Sequence, residues 1–134
     1  MLRGFATINY FTDDLTAARE WYAQFLGVDA YFEVPGGYIE FRIGDSADEL
    51  GIVHRAYQPH PTDQPAGQVV YWAVDDVAAT LDRLLELGAT EHQPVTVRGD
   101  GFVTASVVDP FGNVLGFMYN RHYLDVLGEA RPAS

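Results

Sequence analysis

The chain repeats itself, and that constrains its fold more than any other feature. A strand-like run at Phe5–Phe11, helix-cap candidates at Thr12, Asp13 and Asp14, a helical run at Leu15–Leu26 and a closing Gly27 come first. They return as Val69–Val74, Asp75 and Asp76, Val77–Leu87 and Gly88. Thr7 aligns with Val69 and Asn9 with Tyr71. Gly37-Tyr38-Ile39-Glu40 aligns with Gly101-Phe102-Val103-Thr104, and Leu50-Gly51-Ile52-Val53 with Leu115-Gly116-Phe117-Met118. The offset widens slowly along the chain, as loops of slightly different length would make it. Self-similarity of this kind points to two copies of one supersecondary unit. Neither half could easily bury both its helix and its sheet, so the halves are expected to share one core.

Each copy reads β-α-β-β-β by hydrophobic period. In the first, strands are expected at Ala30–Val34, Tyr38–Ile43 and Leu50–His54, with a Pro35-Gly36-Gly37 turn and a polar loop at Gly44–Glu49. Ala56–Gly67 holds three prolines among polar residues and reads as a linker. In the second copy Thr90–Val97 predicts an irregular strand, Gly101–Val108 and Val114–Tyr119 regular ones, and residues 109–113 a turn. A short helix is expected over Arg121–Leu127 and a frayed tail over Gly128–Ser134. The fold class is α+β: one domain over residues 1–134, with module one at 4–55, a linker at 56–67, module two at 68–120 and an extension at 121–134.

Composition narrows the function. The 134 residues carry 8 Lys+Arg against 19 Asp+Glu, a net charge of −11. Such a chain is repelled by phosphate backbones and anionic membrane surfaces, so neither nucleic acid nor membrane is an expected partner. Cysteine is absent, which excludes disulfides, thiolate nucleophiles and Cys-bound zinc. The densest apolar stretch, near Val69–Val74, is far short of a bilayer span. No basic segment followed by an apolar run marks a signal peptide. A cytoplasmic location is expected.

Strand alternation assigns faces. Ile39, Phe41 and Ile43 match Val103, Ala105 and Val107, an apolar side expected beneath the helices. The other side holds Tyr38, Glu40 and Arg42, matching Phe102, Thr104 and Ser106. The first strands add Phe5, Thr7 and Asn9, matching Val69, Tyr71 and Ala73. The last strands add Gly51 and Val53, matching Gly116 and Met118. This mixture of aromatic, hydroxyl and paired charge suits a sheltered cavity better than bulk water.

The openings Thr12-Asp13-Asp14-Leu15 to Leu26-Gly27 and Val74-Asp75-Asp76-Val77 to Leu87-Gly88 resemble those of the vicinal oxygen chelate superfamily, the glyoxalase/bleomycin-resistance/extradiol-dioxygenase group. Val108-Asp109-Pro110-Phe111-Gly112-Asn113 resembles that group's D-P-x-G-[NH] turn before the last strand. The resemblance covers about residues 4–120. It implies duplicated βαβββ modules forming a curved mixed sheet around a cavity, with helices outside and frequent homodimers. In catalytic members a divalent metal is held by His, Glu or Gln from the first and last strand of each module. Those positions here are Thr7, Gly51, Val69 and Gly116. Glycine and valine have no side-chain donor, and a lone threonine hydroxyl is a poor ligand. The resemblance therefore does not carry the family's metal chemistry to this chain, and no cofactor is expected.

The remaining candidates are read from the residues. His54, His60, His92 and His122 show no helical metal spacing, and all four read as structural or surface groups. A one-residue slip would turn His54 inward. Glu40 is the candidate general base if desolvation lifts its pKa. Arg42 is its ion-pair partner or the holder of an anionic ligand group. Thr7, Asn9, Tyr71, Thr104 and Ser106 read as ligand-orienting groups, none with a base visible beside it. Tyr38, Phe102 and Met118 read as apolar walls, and Gly51 and Gly116 as residues that enlarge the cavity. Gly36-Gly37 and Gly99-Asp100-Gly101 precede strands, so they are hairpin turns rather than phosphate loops.

The reading that follows is a metal-free small-molecule binding protein. It sequesters or senses an apolar, partly aromatic compound in the inter-module cavity, in the manner of antibiotic-resistance relatives. The alternatives are an enzyme using the same cavity, with Glu40 as base or an unrecognised metal, and a dimerising module with a vestigial cavity.

Overall fold

The computed structural model describes residues 1–3, 5–60 and 62–130. By its contacts the chain forms two compact units. The first holds Met1–Gln64 with Phe111–Asn113, and the second holds Pro65–Pro110 with the chain from Val114 onward.

The first unit has β1 (Thr7–Thr12), α1 (Leu15–Leu26), β2 (Phe32–Val34), β3 (Tyr38–Ile43) and β4 (Asp48–His54). The sheet order is β1-β4-β3-β2, with β1 parallel to β4 and the other pairs antiparallel. α1 starts where Asp14 accepts a bond from the Ala17 amide at 3.0 Å. It stops at Gly27, whose φ of 73° is the left-handed conformation a helix end favours. The helix buries Ala18 and Tyr22 over a sheet face of Tyr10, Ile39, Phe41, Leu50 and Ile52. Burying each larger side chain contributes about 1.5–3 kcal/mol.

The second unit repeats the order with β5 (Val70–Ala73), α2 (Val77–Glu86), β6 (Thr90–Gly99), β7 (Phe102–Val108) and β8 (Val114–Asn120), then adds α3 (Arg121–Ala130). Its sheet order is β5-β8-β7-β6. Asp76 caps α2 as Asp14 caps α1, accepting from the Ala79 amide at 3.0 Å. Val77, Leu81 and Leu84 are buried with Ala105, Val107, Leu115 and Phe117. Both apolar faces are the ones alternation assigned. No described helix is long and apolar enough to cross a membrane.

Several boundaries differ from the sequence reading. β1 starts at Thr7, so Phe5 lies outside the strand and is fully exposed. Ala30 and Tyr31 lie outside β2. The polar loop is shorter than expected, because β4 begins at Asp48 and takes Glu49 into the ladder opposite Arg42. Strand pairing there wins over the acidic composition. The linker opens with a 3-10 turn at Arg55–Tyr57, capped by His54 Nδ1 accepting from the Ala56 amide at 3.0 Å. Pro61 lies outside the described residues. The last helix continues through Gly128 to Ala130, into the stretch expected to fray, and residues 131–134 lie outside the described residues.

Candidate functional site

In the first unit, Thr7, Asn9, Tyr38, Glu40 and Arg42 share the sheet face opposite α1, as alternation expects. Tyr38, Glu40 and Arg42 form a linked network with Glu49, while the Thr7 hydroxyl lies 3.5 Å from Asn9 Oδ1. The Tyr38 hydroxyl lies 3.1 Å from Glu40 Oε1 and 3.2 Å from Glu49 Oε1. Arg42 donates from Nε to Glu40 Oε2 at 3.0 Å, and its Nη2 is 3.8 Å from Glu49 Oε2. The same guanidinium sits over the Tyr31 ring, 5.1 Å from its centroid. Glu40 is buried at 7% exposure.

The electrostatics follow from this packing. Burial alone pulls the Glu40 carboxyl upward. Hydrogen bonding with Glu49, donation from the Tyr38 hydroxyl and the charge of Arg42 outweigh it and hold the carboxyl below its usual range. Burial, then Glu40 and Glu49, push the Tyr38 phenol above its ordinary value. A carboxylate held low is a weaker base than a free one, so Glu40 is arranged as a fixed acceptor. Glu49 was missed in sequence because it was assigned to a loop. The available signal was its position two residues before Gly51, on the same strand face.

In the second unit, Tyr71, Phe102, Thr104, Ser106 and Met118 share the corresponding face. Ser106 is 1% exposed, and His92 Nδ1 lies 3.0 Å from its Oγ. His92 is exposed, as the sequence reading placed it, but that reading saw no base beside Ser106, and the structure supplies this imidazole. The pair is exposed only on its histidine side, which suits support of the imidazole better than nucleophilic attack by the serine. Arg98 Nε donates to Thr104 Oγ1 at 3.1 Å, a contact sequence reasoning also missed. His54 caps the 3-10 turn, and His60 and His122 are exposed.

The two glycines are not empty space. A Cβ on Gly51 would collide with Asn9 Oδ1 and come within 2.7 Å of the Tyr38 ring. A Cβ on Gly116 would come within 2.7 Å of the Tyr71 ring and 2.9 Å of the Val70 carbonyl. The glycines admit a side chain from their own unit over the strand, rather than enlarging a cavity as the sequence suggested. With Thr7 and Val69, these four positions offer no converging donor set that fits a divalent metal.

The Asp109–Asn113 turn has a different task. Asn113 accepts from the Phe11 amide at 3.0 Å and donates to the Phe11 carbonyl at 2.9 Å, matching both polar groups of one β1 residue. Arg55 Nη2 donates to the Phe111 carbonyl at 2.6 Å, and the Phe111 ring meets Trp21 edge-on at 6.2 Å. Residues Phe111–Asn113 thereby count with the first unit.

Three comparisons bear on this architecture. A model of the Glyoxalase/Bleomycin resistance protein/Dioxygenase superfamily matches residues 4–117. The Mycobacterium bovis protein "Putative glyoxylase CFP32" is 31% identical over 118 residues, covering 83% of this chain and 44% of that protein. The chain thus spans less than half the length of this curated relative. A glyoxalase-related enzyme from Fulvimarina pelagi superposes with a TM-score of 0.73 at 21% identity, over 90% of each chain. A bleomycin resistance determinant encoded on the transposon Tn5 superposes at 0.63 and 23% identity, over 87% of this chain and 98% of that one. These two structures establish the fold, and one is a glyoxalase-related enzyme while the other is a resistance determinant.

Proposed function

The chain belongs to the glyoxalase/bleomycin resistance protein/dioxygenase superfamily, and from that premise we propose that it binds a small organic molecule, apolar and partly aromatic, without a metal. The observation that carries this reading is the state of the family's ligand positions. Gly51 and Gly116 lie under Asn9, Tyr38 and Tyr71, while Thr7 and Val69 offer one hydroxyl between them. Aromatic faces with a few fixed polar groups suit an organic ligand. The bound compound is sequestered or sensed. The enzyme reading takes two forms, Glu40 as base or an unrecognised metal. The first is disfavoured because hydrogen bonding and Arg42 hold the Glu40 carboxyl low, and the second does not depend on Glu40. The protein works in the cytoplasm as a homodimer, and its −11 charge supports the exclusion of nucleic-acid partners.

A thermal-shift screen of the full chain against aromatic metabolites and antibiotics tests the reading. A ligand at a hundred times its Kd adds about 2.7 kcal/mol of stability, enough to raise Tm by several degrees. The expected result is a set of stabilising aromatic compounds whose shifts shrink in Tyr71→Ala and Glu40→Ala. Shifts that neither variant alters would contradict the site assignment.

A further inference from the structure

Strand β6 leaves its ladder with β7 at three places: between Glu91 and Gln93, between Gln93 and Thr96, and between Val97 and Gly99. The residues left out of register at the first and last are His92 and Arg98. An extra residue in a bulge turns its side chain out of the regular alternation, and bulges concentrate beside active sites. Both of these side chains reach a hydroxyl on β7: His92 that of Ser106, and Arg98 that of Thr104. The two hydroxyls are buried, at 1% and 5% exposure, while His92 and Arg98 are exposed. Each basic group is therefore held from beneath by one atom. The guanidinium keeps its two Nη groups, and the imidazole its Nε2, outside these bonds.

Acids do not neutralise this pair. Among the described residues no carboxylate forms an ion pair with Arg98 or His92. Asp100, two residues past Arg98, is taken by Arg121 at 3.2 Å. Glu91 pairs in register with Val107, on the helix side of the sheet. An arginine fixed in place without an acidic partner is a notable arrangement in a chain of net charge −11.

We propose that Arg98 and His92, standing on Thr104 and Ser106, form a subsite for an anionic oxygen group of the ligand, a carboxylate or a phosphate-type group. The proposal rests on the organic-ligand reading above and names its chemical class: an aromatic acid. The planar guanidinium fork matches two oxygens of such a group at once. Support from the buried hydroxyl removes rotamer freedom before the ligand arrives. The same sheet face supplies an apolar wall, because Thr104 pairs with Met118 and Ser106 with Gly116, which lies under Tyr71.

Calorimetric titration of the full chain with naphthoate, naphthyl phosphate and neutral naphthylmethanol tests this. At least one anion should bind about tenfold tighter than the alcohol, and the two anions separate carboxylate from phosphate recognition. Arg98→Gln should abolish the preference and leave the alcohol's affinity unchanged. His92→Gln should reduce the preference, and Arg98→Lys should retain part of it. Circular dichroism should match the parent, showing that the fold is retained although a buried β7 hydroxyl loses its partner. Equal affinities for anion and alcohol, or a preference that survives Arg98→Gln, would overturn the subsite. Alcohol binding without anion preference would leave the organic-ligand reading standing, whereas no binding by any of the three would overturn both.

Discussion

Glu40 holds its charge beneath a phenol and beside a guanidinium, and that placement has a pH signature. Its folded-state pKa is lowered, so the ionised carboxylate favours the fold. The stabilisation is present above the unfolded value, near 4.3, and is lost as pH falls through the lower folded value. Urea midpoints measured from about pH 5 to about pH 3 should therefore fall more steeply for the parent than for Glu40→Gln. Parallel curves would contradict the network. At this scale the sequence was readable wherever alternation held, as at Tyr38, Glu40, Arg42, Thr104 and Ser106. It was unreadable where alternation broke. His92 and Arg98 sit at bulges, which no two-residue period foresees. Glu49 was hidden because its acidic neighbours Asp45 and Asp48 look like loop composition although the chain is already paired there.

Elements are joined by a few specific devices. Asn113 satisfies both backbone groups of Phe11, so the turn that looked like a family signature acts as a clasp on β1. Asn113→Ala leaves a part-buried amide and carbonyl without these partners and should cost about 1–3 kcal/mol by chemical denaturation. An unchanged midpoint would sink the clasp. The two glycines are a second device. Gly116→Ala sets a methyl against Tyr71 and the Val70 carbonyl, and a forced shift of this kind typically costs about 1–3 kcal/mol. Tyr71→Ala should relieve much of that penalty in the double variant, and purely additive losses would contradict the packing. Helix positions were legible because caps and period agreed: α1 spans the predicted residues, with Asp14 and Gly27 at its ends. The glycine contacts were not, since a gap in a sequence pattern does not say which neighbour fills it.

For the whole molecule, the repeat was the decisive signal. Both sheets have the same strand order, α1 and α2 each start at an Asp cap, and each unit buries the apolar face that alternation chose. The faces opposite the helices are not equivalent. One centres on two carboxylates and an arginine, and the other on a histidine and an arginine over two hydroxyls. Duplication is readable from pattern, whereas this divergence of charge depends on side-chain reach and strand irregularity. The central claim is that binding needs no metal. Calorimetric titration of an aromatic ligand from the stabilising set, into protein kept in excess EDTA, tests it most directly. The account predicts saturable binding with the same affinity in EDTA and in buffer with added divalent cation. Binding that vanishes in EDTA and returns with the cation would contradict it.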